Sequence, residues 1–318
     1  MRTVNQLFKV VAQVGCALAL AAVCSSAAIA NDPPFPSRPL KLIVPYAPGG
    51  GTDQIARPFA EHLSRRLGQQ VAVENRPGAA SNIGGQALAT SEPNGYTMMI
   101  GSNQLIINAI FGPKPPFDPV QGFATVGLIT EVPYVLAVKA DSPVHRARDL
   151  LTAKANRELT ISHAQFEPQL KLISQAMGVP VLGIPYQGGA QAITAVLSGE
   201  VPAVFAGISA VSAMVKDGRL RPVGITSSRR ISSFPDVPTF VEQGFPDLVT
   251  TGWLSLLVPK GTPAPVLQRL GDATLATVRD PAFVDRVRAA GAEPLEVGAS
   301  EAGLRMAAEH ALWTKVAR

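Results

Sequence analysis

From Leu40 onward, short apolar runs rich in β-branched residues alternate with stretches in which apolar residues return about every fourth position. That alternation predicts a parallel sheet covered by helices, an α/β fold. Leu40 to Tyr46 reads as the first strand. Thr52 to Leu67 follows as a helix with Ile55, Phe59, Leu63 and Leu67 on one face, closed by Gly68. Pro58 inside it predicts a kink or a later start, because proline removes a hydrogen bond and crowds the preceding turn. Val71 to Glu74 is the next strand, Asn82 to Thr90 a helix, and Tyr96 to Gly101 a third strand.

A proline-rich stretch (Pro113, Pro115, Pro116, Pro119) then leads to the strands Thr125 to Ile129 and Tyr134 to Lys139, which mark a crossing into a second unit. The alternation resumes there: helix at Ala147 to Ala155, strand at Leu159 to His163, helix at Gln169 to Met177 and strand at Val181 to Tyr186. Ala190 to Leu197, Val201 to Ala206 and Val223 to Thr226 continue it. Beyond the loop Phe234-Pro235-Asp236-Val237-Pro238 come a strand at Trp253 to Val258 and helices at Pro263 to Val278 and Pro281 to Ala290. These have no sheet of their own and are expected to pack back on the first unit. The reading is two α/β lobes, residues 31–130 with 251–318 and residues 131–250, with a ligand cleft between them.

The first thirty residues break this pattern. Arg2 and Lys9 are their only charges, Val10 to Val23 is apolar, and Ala28-Ile29-Ala30 offers small residues for cleavage. This reads as a secretory leader with the mature chain starting at Asn31, since the apolar run falls short of the roughly 20 residues a bilayer core needs. Both cysteines, Cys16 and Cys24, lie inside it. The exported protein would then contain neither disulfides nor thiol ligands. A lipid anchor through Cys24 is disfavoured by the bulky Val23 before it.

Charge adds little. The chain has 28 basic and 23 acidic residues, and two of the positives, Arg2 and Lys9, leave with the leader. The remaining basic pairs are scattered, with few aromatics between them, so a nucleic-acid surface is not expected. The histidines His62, His145, His163 and His310 show no metal-ligand spacing, and no serine elbow or Cys–His pairing accompanies them. Neither a metal nor a cofactor is expected.

The turn Gly49-Gly50-Gly51-Thr52-Asp53, between strand and helix, has the outline of an anion site: close-approach glycines and a helix start with unpaired N–H groups. A plain connection capped by Thr52 or Asp53 fits the same residues, so two readings stay open. A nucleotide is disfavoured, because no lysine follows the glycines and Asp53 would repel phosphate.

Motifs in fixed order then carry a family resemblance. Ile43-Val44-Pro45-Tyr46-Ala47-Pro48-Gly49-Gly50-Gly51-Thr52-Asp53, Val73-Glu74-Asn75-Arg76-Pro77-Gly78-Ala79 and Pro93-Asn94-Gly95-Tyr96-Thr97 resemble the Bug family of extracytoplasmic receptors, the binding proteins of tripartite tricarboxylate transporters. Pro185-Tyr186-Gln187-Gly188 and Pro259-Lys260-Gly261-Thr262-Pro263 extend the match across nearly all of the mature chain. The resemblance implies a two-lobed, type II periplasmic binding fold that closes on a small carboxylated ligand without altering it, and a monomer is expected. Its partners would be the membrane components of a transporter or a sensor protein. It places ligand contacts at Tyr46, Pro48, Gly49, Gly50, Thr52 and Asp53 and at Ser102 and Asn103 in the first lobe. In the second lobe it points to His163, Gln165, Phe166, Gln187 and Gly207.

That second lobe departs from the family pattern. Ser162-His163-Ala164-Gln165-Phe166-Glu167 lacks the usual small residues, Val204-Phe205-Ala206-Gly207 lacks an aspartate, and Gln187 replaces a lysine. The expectation is a less polar jaw and a ligand with one acid group and an aromatic or amide part. A periplasmic enzyme using His163 and Glu167 as an acid–base pair is the reading from another class.

Overall fold

The computed structural model describes residues 34–49, 51–152, 158–164, 166–186 and 188–318. The expected leader at residues 1–30, with both cysteines, lies outside the described residues, as do Gly50, Gln165 and Gln187. In chain order the elements are β1 (Leu40–Val44), α1 (Gly51–Leu67), β2 (Val71–Asn75), α2 (Asn82–Ala89), β3 (Thr97–Ser102), α3 (Gln104–Phe111) and β4 (Phe123–Lys139). Then come α4 (Asp149–Thr152), β5 (Leu159–His163), α5 (Glu167–Met177), β6 (Val181–Pro185), α6 (Gly189–Leu197), β7 (Ala203–Gly207), α7 (Ile208–Lys216) and β8 (Leu220–Ile225). The chain returns through β9 (Thr251–Pro259), α8 (Ala264–Val278), α9 (Pro281–Ala289), β10 (Glu293–Gly298) and α10 (Ala299–Ala317).

The expectation of a parallel sheet needs correction. β1 pairs in parallel with β2 and β3, and β5 with β6 and β7, but β9 runs antiparallel to both β3 and β4. β4 is antiparallel to β7, β8 and β10 as well. The strands expected at Thr125 to Ile129 and Tyr134 to Lys139 are one continuous β4. It pairs with β9 from Phe123 to Pro133 and with β7 from Tyr134 to Val138. Pro133 falls at that change of partner, where a missing N–H disturbs the ladder least.

The chain leaving β8 and the chain entering β9 meet β4 at this point. Thr226 N–H donates to Tyr134 O (3.1 Å), and Thr250 N–H donates to Thr226 O (3.1 Å). The Thr226 hydroxyl receives the Tyr134 N–H and donates back to its carbonyl. Burial of these groups leaves few alternatives to pairing with one another.

Strand periodicity places the cores. On β4, Tyr134, Leu136 and Val138 enter one core cluster and Val135 and Ala137 another; on β7, Phe205 and Val204 divide the same way. Helix α1 buries Ile55, Phe59, Leu63 and Leu67, carries Arg65 and Arg66 in its last turn, and ends at Gly68 with φ +72°. The later start expected from Pro58 does not occur: α1 begins at Gly51, and buried Ile55, Ala56 and Phe59 hold the turns around the proline. The C-terminal helices pack on α1 and α3. Phe283 lies 5.9 Å from Phe59, and Trp313 packs edge-on against Phe111.

Candidate ligand cleft

The turn after β1 is built from its inner side. Gly49 has φ +79°, a conformation that excludes most side chains. Its N–H donates to Asp53 Oδ2 at 2.8 Å. Arg57 Nε donates to the same oxygen at 2.8 Å, and Asn75 Nδ2 donates to Asp53 Oδ1 at 2.9 Å. Asn75 also donates to Tyr46 O at 3.0 Å, tying β2 to the turn. Burial is the largest single influence on the Asp53 carboxyl and works to raise it. The hydrogen bonds from Arg57, Gly49 and Asn75 outweigh this and hold it below the usual carboxylate range.

With Asp53 turned inward, the turn presents other atoms to a cavity of about 760 Å³. Pro45, Tyr46 and Thr52 form one side of it, Ser102 and Asn103 the base after β3, and Val132, Tyr134, Gly252 and Trp253 the wall of crossing strands. Tyr46 Oη and Ser102 Oγ are 2.6 Å apart. Asn103, at the start of α3, donates to Thr251 O at 3.2 Å and, at 3.5 Å, to Tyr134 Oη. Behind the wall, half-buried Glu309 accepts from the indole nitrogens of Trp253 and Trp313, which fixes the Trp253 ring. Burial pushes the Glu309 carboxyl up, while those indoles and Arg305 pull it the other way.

Among the described residues lining this cavity there is no lysine, arginine, histidine, aspartate or glutamate. Hydroxyls, amides and main-chain groups are the polar atoms available. Such a wall can hold a single carboxylate by hydrogen bonds but offers no countercharge for several.

Of the residues expected from sequence, Tyr46, Thr52, Ser102 and Asn103 come together around the cavity. Pro48, Gly49 and Asp53 shape the turn without lining the cavity, Asp53 through a carboxylate that accepts from the turn itself. Gly50, Gln165 and Gln187 lie outside the described residues. His163, Phe166 and Gly207 do not line the cavity. Gly207 precedes α7 as its cap. Phe166 packs behind Tyr134, ring centroids 4.9 Å apart, and against Phe205 at 5.5 Å. Sequence reasoning missed Tyr134, Gly252 and Trp253; the one available signal was the Pro133-Tyr134 pair at the expected crossing.

His163 is only 2% exposed. Its Nδ1 accepts the Phe166 N–H at 3.0 Å, so Nε2 carries the proton of the neutral ring and faces Glu167 Oε2 at 3.1 Å. Gly183 leaves the room, since a Cβ there would stand 2.8 Å from both Nε2 and that oxygen. Burial depresses the imidazole below its ordinary 6.5, against the opposing pull of Glu167. A histidine with a depressed folded value binds more protons when unfolded, so stability falls as pH drops below 6.5. Urea unfolding at pH 7.5 and pH 5 is expected to show this loss in the wild type. His163→Gln should flatten it and Glu167→Gln should steepen it; an unchanged slope in both variants would contradict the neutral assignment.

Comparison with known proteins follows the same lines. The tripartite tricarboxylate transporter family receptor model matches residues 55–316. BugT of Bordetella pertussis is 30% identical, over 98% of this chain and 97% of its own. The solved TctC solute-binding protein from Polaromonas is 27% identical, with a TM-score of 0.81, over 89% of this chain and 98% of that one. An R. palustris protein solved with adipate is 29% identical, with a TM-score of 0.74, over 89% and 97%. The expected two-lobed periplasmic binding fold is the fold of these structures.

Proposed function

We propose that this chain, which belongs to the tripartite tricarboxylate transporter receptor family, is a periplasmic receptor that captures a small molecule with one carboxylate and passes it, unaltered, to that family's membrane components. The observation that carries the reading is the uncharged cavity of about 760 Å³ beneath the Gly49 turn. Its size suits a small metabolite. The acid end of the ligand would meet the start of α1, where main-chain N–H groups and the helix dipole favour an anion, together with the Tyr46, Thr52 and Ser102 hydroxyls.

The relative solved with adipate carries a ligand with two acid groups. Here the aromatic wall and the lack of a lining cation favour one acid group with an apolar, aromatic or amide remainder. We place the lobe boundaries at residues 130/131 and 250/251, close to where β4 changes partner and β9 begins. Closure about these strands would bring the segment 163–166 and Gly207 toward the ligand. His163 is buried with its partners on its own segment, which favours a structural role over acid–base chemistry.

Thermal unfolding with hexanoate, benzoate, adipate, their amides and citrate tests this. A ligand at about 100 times its Kd stabilises by about 2.7 kcal/mol, which raises Tm by about 5–10 °C. At least one monocarboxylate is expected to do so. Stabilisation by citrate alone would overturn the single-acid reading, and no shift with any acid would overturn the receptor reading.

A further inference from the structure

The hydroxyl of Tyr134 is a polar group of the crossing-strand wall whose ring, backbone and acceptor side are each held by named neighbours. Tyr134 is 5% exposed, yet lines the cavity. Its ring cannot turn freely: Phe166 meets it edge-on at 4.9 Å and Phe205 at 5.6 Å. Its backbone is pinned on both sides by Thr226. At the tip, Asn103 Nδ2 donates to Oη at 3.5 Å and so occupies an acceptor position of the oxygen. Among the described residues nothing accepts the phenolic proton. Burial raises the phenol well above its ordinary value, so that proton stays in place at any working pH.

Gly252 completes the arrangement. A Cβ at that position would stand 2.9 Å from Tyr134 Oη and 3.4 Å from Val132. The glycine therefore keeps open the space at the hydroxyl, on the cavity side of β9 where it pairs with Val132. In the open cavity water can take this proton, and a ligand that displaces the water must supply an acceptor or leave the donor buried and unpaired, at a cost.

Resting on the receptor reading above, we propose that the Tyr134 hydroxyl, in the space left by Gly252, selects ligands that carry a neutral oxygen acceptor such as an amide or keto carbonyl beside an apolar segment. The carboxylate sits at the Gly49 turn, and the acceptor oxygen takes the Tyr134 proton against the aromatic wall. An acid whose far end is purely hydrocarbon would bury the phenolic O–H without a partner and is discriminated against. Selectivity of this kind exceeds what shape alone provides, because the penalty falls on the protein's own unpaired donor.

The test uses two acids of matched length, hexanoate and the monoamide of adipate, titrated by calorimetry into the whole mature protein and into Tyr134→Phe. The wild type is expected to prefer the monoamide by about tenfold. Tyr134→Phe, which keeps the ring contacts, is expected to bring the two affinities within about twofold of each other, by weakening the monoamide and not hexanoate. Gly252→Ala, whose methyl intrudes on the hydroxyl, should lose the same preference, and it supplies the ratio if the phenylalanine variant does not fold. Equal affinities in the wild type, a preference retained in both variants, or equal weakening of both acids by Tyr134→Phe would each overturn the assignment while leaving the receptor reading standing. Failure of the wild type to bind any acid in the broader panel would remove that reading, and this inference with it.

Discussion

Truncating Phe205 to alanine is expected to lower unfolding stability by about 3–5 kcal/mol, the range for removing a large aromatic from a closed core. The side chain is fully buried on β7 and touches both Tyr134 and Phe166. Its loss leaves a void behind the wall of the cleft, and rigid neighbours on two strands collapse into such a void only in part. Ligand affinity should fall as well, since Tyr134 loses one of the two rings that fix its position. Phe205→Leu, closer in volume, is expected to cost less than about 2 kcal/mol and to keep most of the affinity. Urea unfolding and calorimetry on the same preparations check both statements. A cost below about 1 kcal/mol for the alanine variant would mean that this wall is loosely packed.

Asp53→Ala should have the next largest effect, about 2–3 kcal/mol. It strips the acceptor from the Gly49 N–H and from the Asn75 amide, two donors held at 2.8 and 2.9 Å, and removes a carboxylate from the first turn of α1. The contribution of Arg57 is discounted, because its side chain is half-exposed and screened by solvent. On the proposed reading, affinity should fall by more than the loss of folded protein explains, since the turn proposed to meet the ligand loses its internal brace. The carboxyl is held below its ordinary 3.8, so its contribution is complete above that pH and disappears as pH falls through the lower folded value. Wild-type stability should therefore drop more steeply than that of Asp53→Ala below about pH 3.8. Parallel slopes would show that Asp53 is not bonded as described.

The two predictions concern the turn after β1 and the strand β7, and they differ in how visible their residues were beforehand. Asp53 lies four positions after Gly49 in one local motif, and its closeness to the turn could be read from the chain. Its orientation could not. Whether a carboxylate after a glycine turn faces outward to a ligand or inward to a main-chain N–H depends on Asn75 and Arg57 arriving beside it, and Asn75 belongs to another strand. Phe166 was expected to touch ligand because it stands in the segment after β5. In the fold, Tyr134 from β4 occupies the cavity wall in front of it.

Element type was legible wherever the apolar period was long or the run strongly β-branched, as in α1 and β5. It was not legible in β10, where Pro294, Glu293 and Glu296 dilute the strand signal, or in α3, whose apolar residues follow a strand without a clear break. The antiparallel return of β9 between β3 and β4 was also hidden, because a fully buried strand reads the same in either direction.

Short-range physics decided what the chain could announce alone: the helix faces, the glycine turn with positive φ at Gly49, the helix start beside it, and the ordered motifs that carry the family resemblance. These depend on residues a few positions apart, so their pattern is present in the linear chain. The cleft wall was decided only by tertiary structure. Tyr134, Gly252 and Trp253 become neighbours because β4 and β9 pair in step from Thr130 to Pro133, beyond two register shifts, with Val132 opposite Gly252 and Glu131 opposite Trp253. That register follows from the packing of strands far apart in sequence, and no local period encodes it.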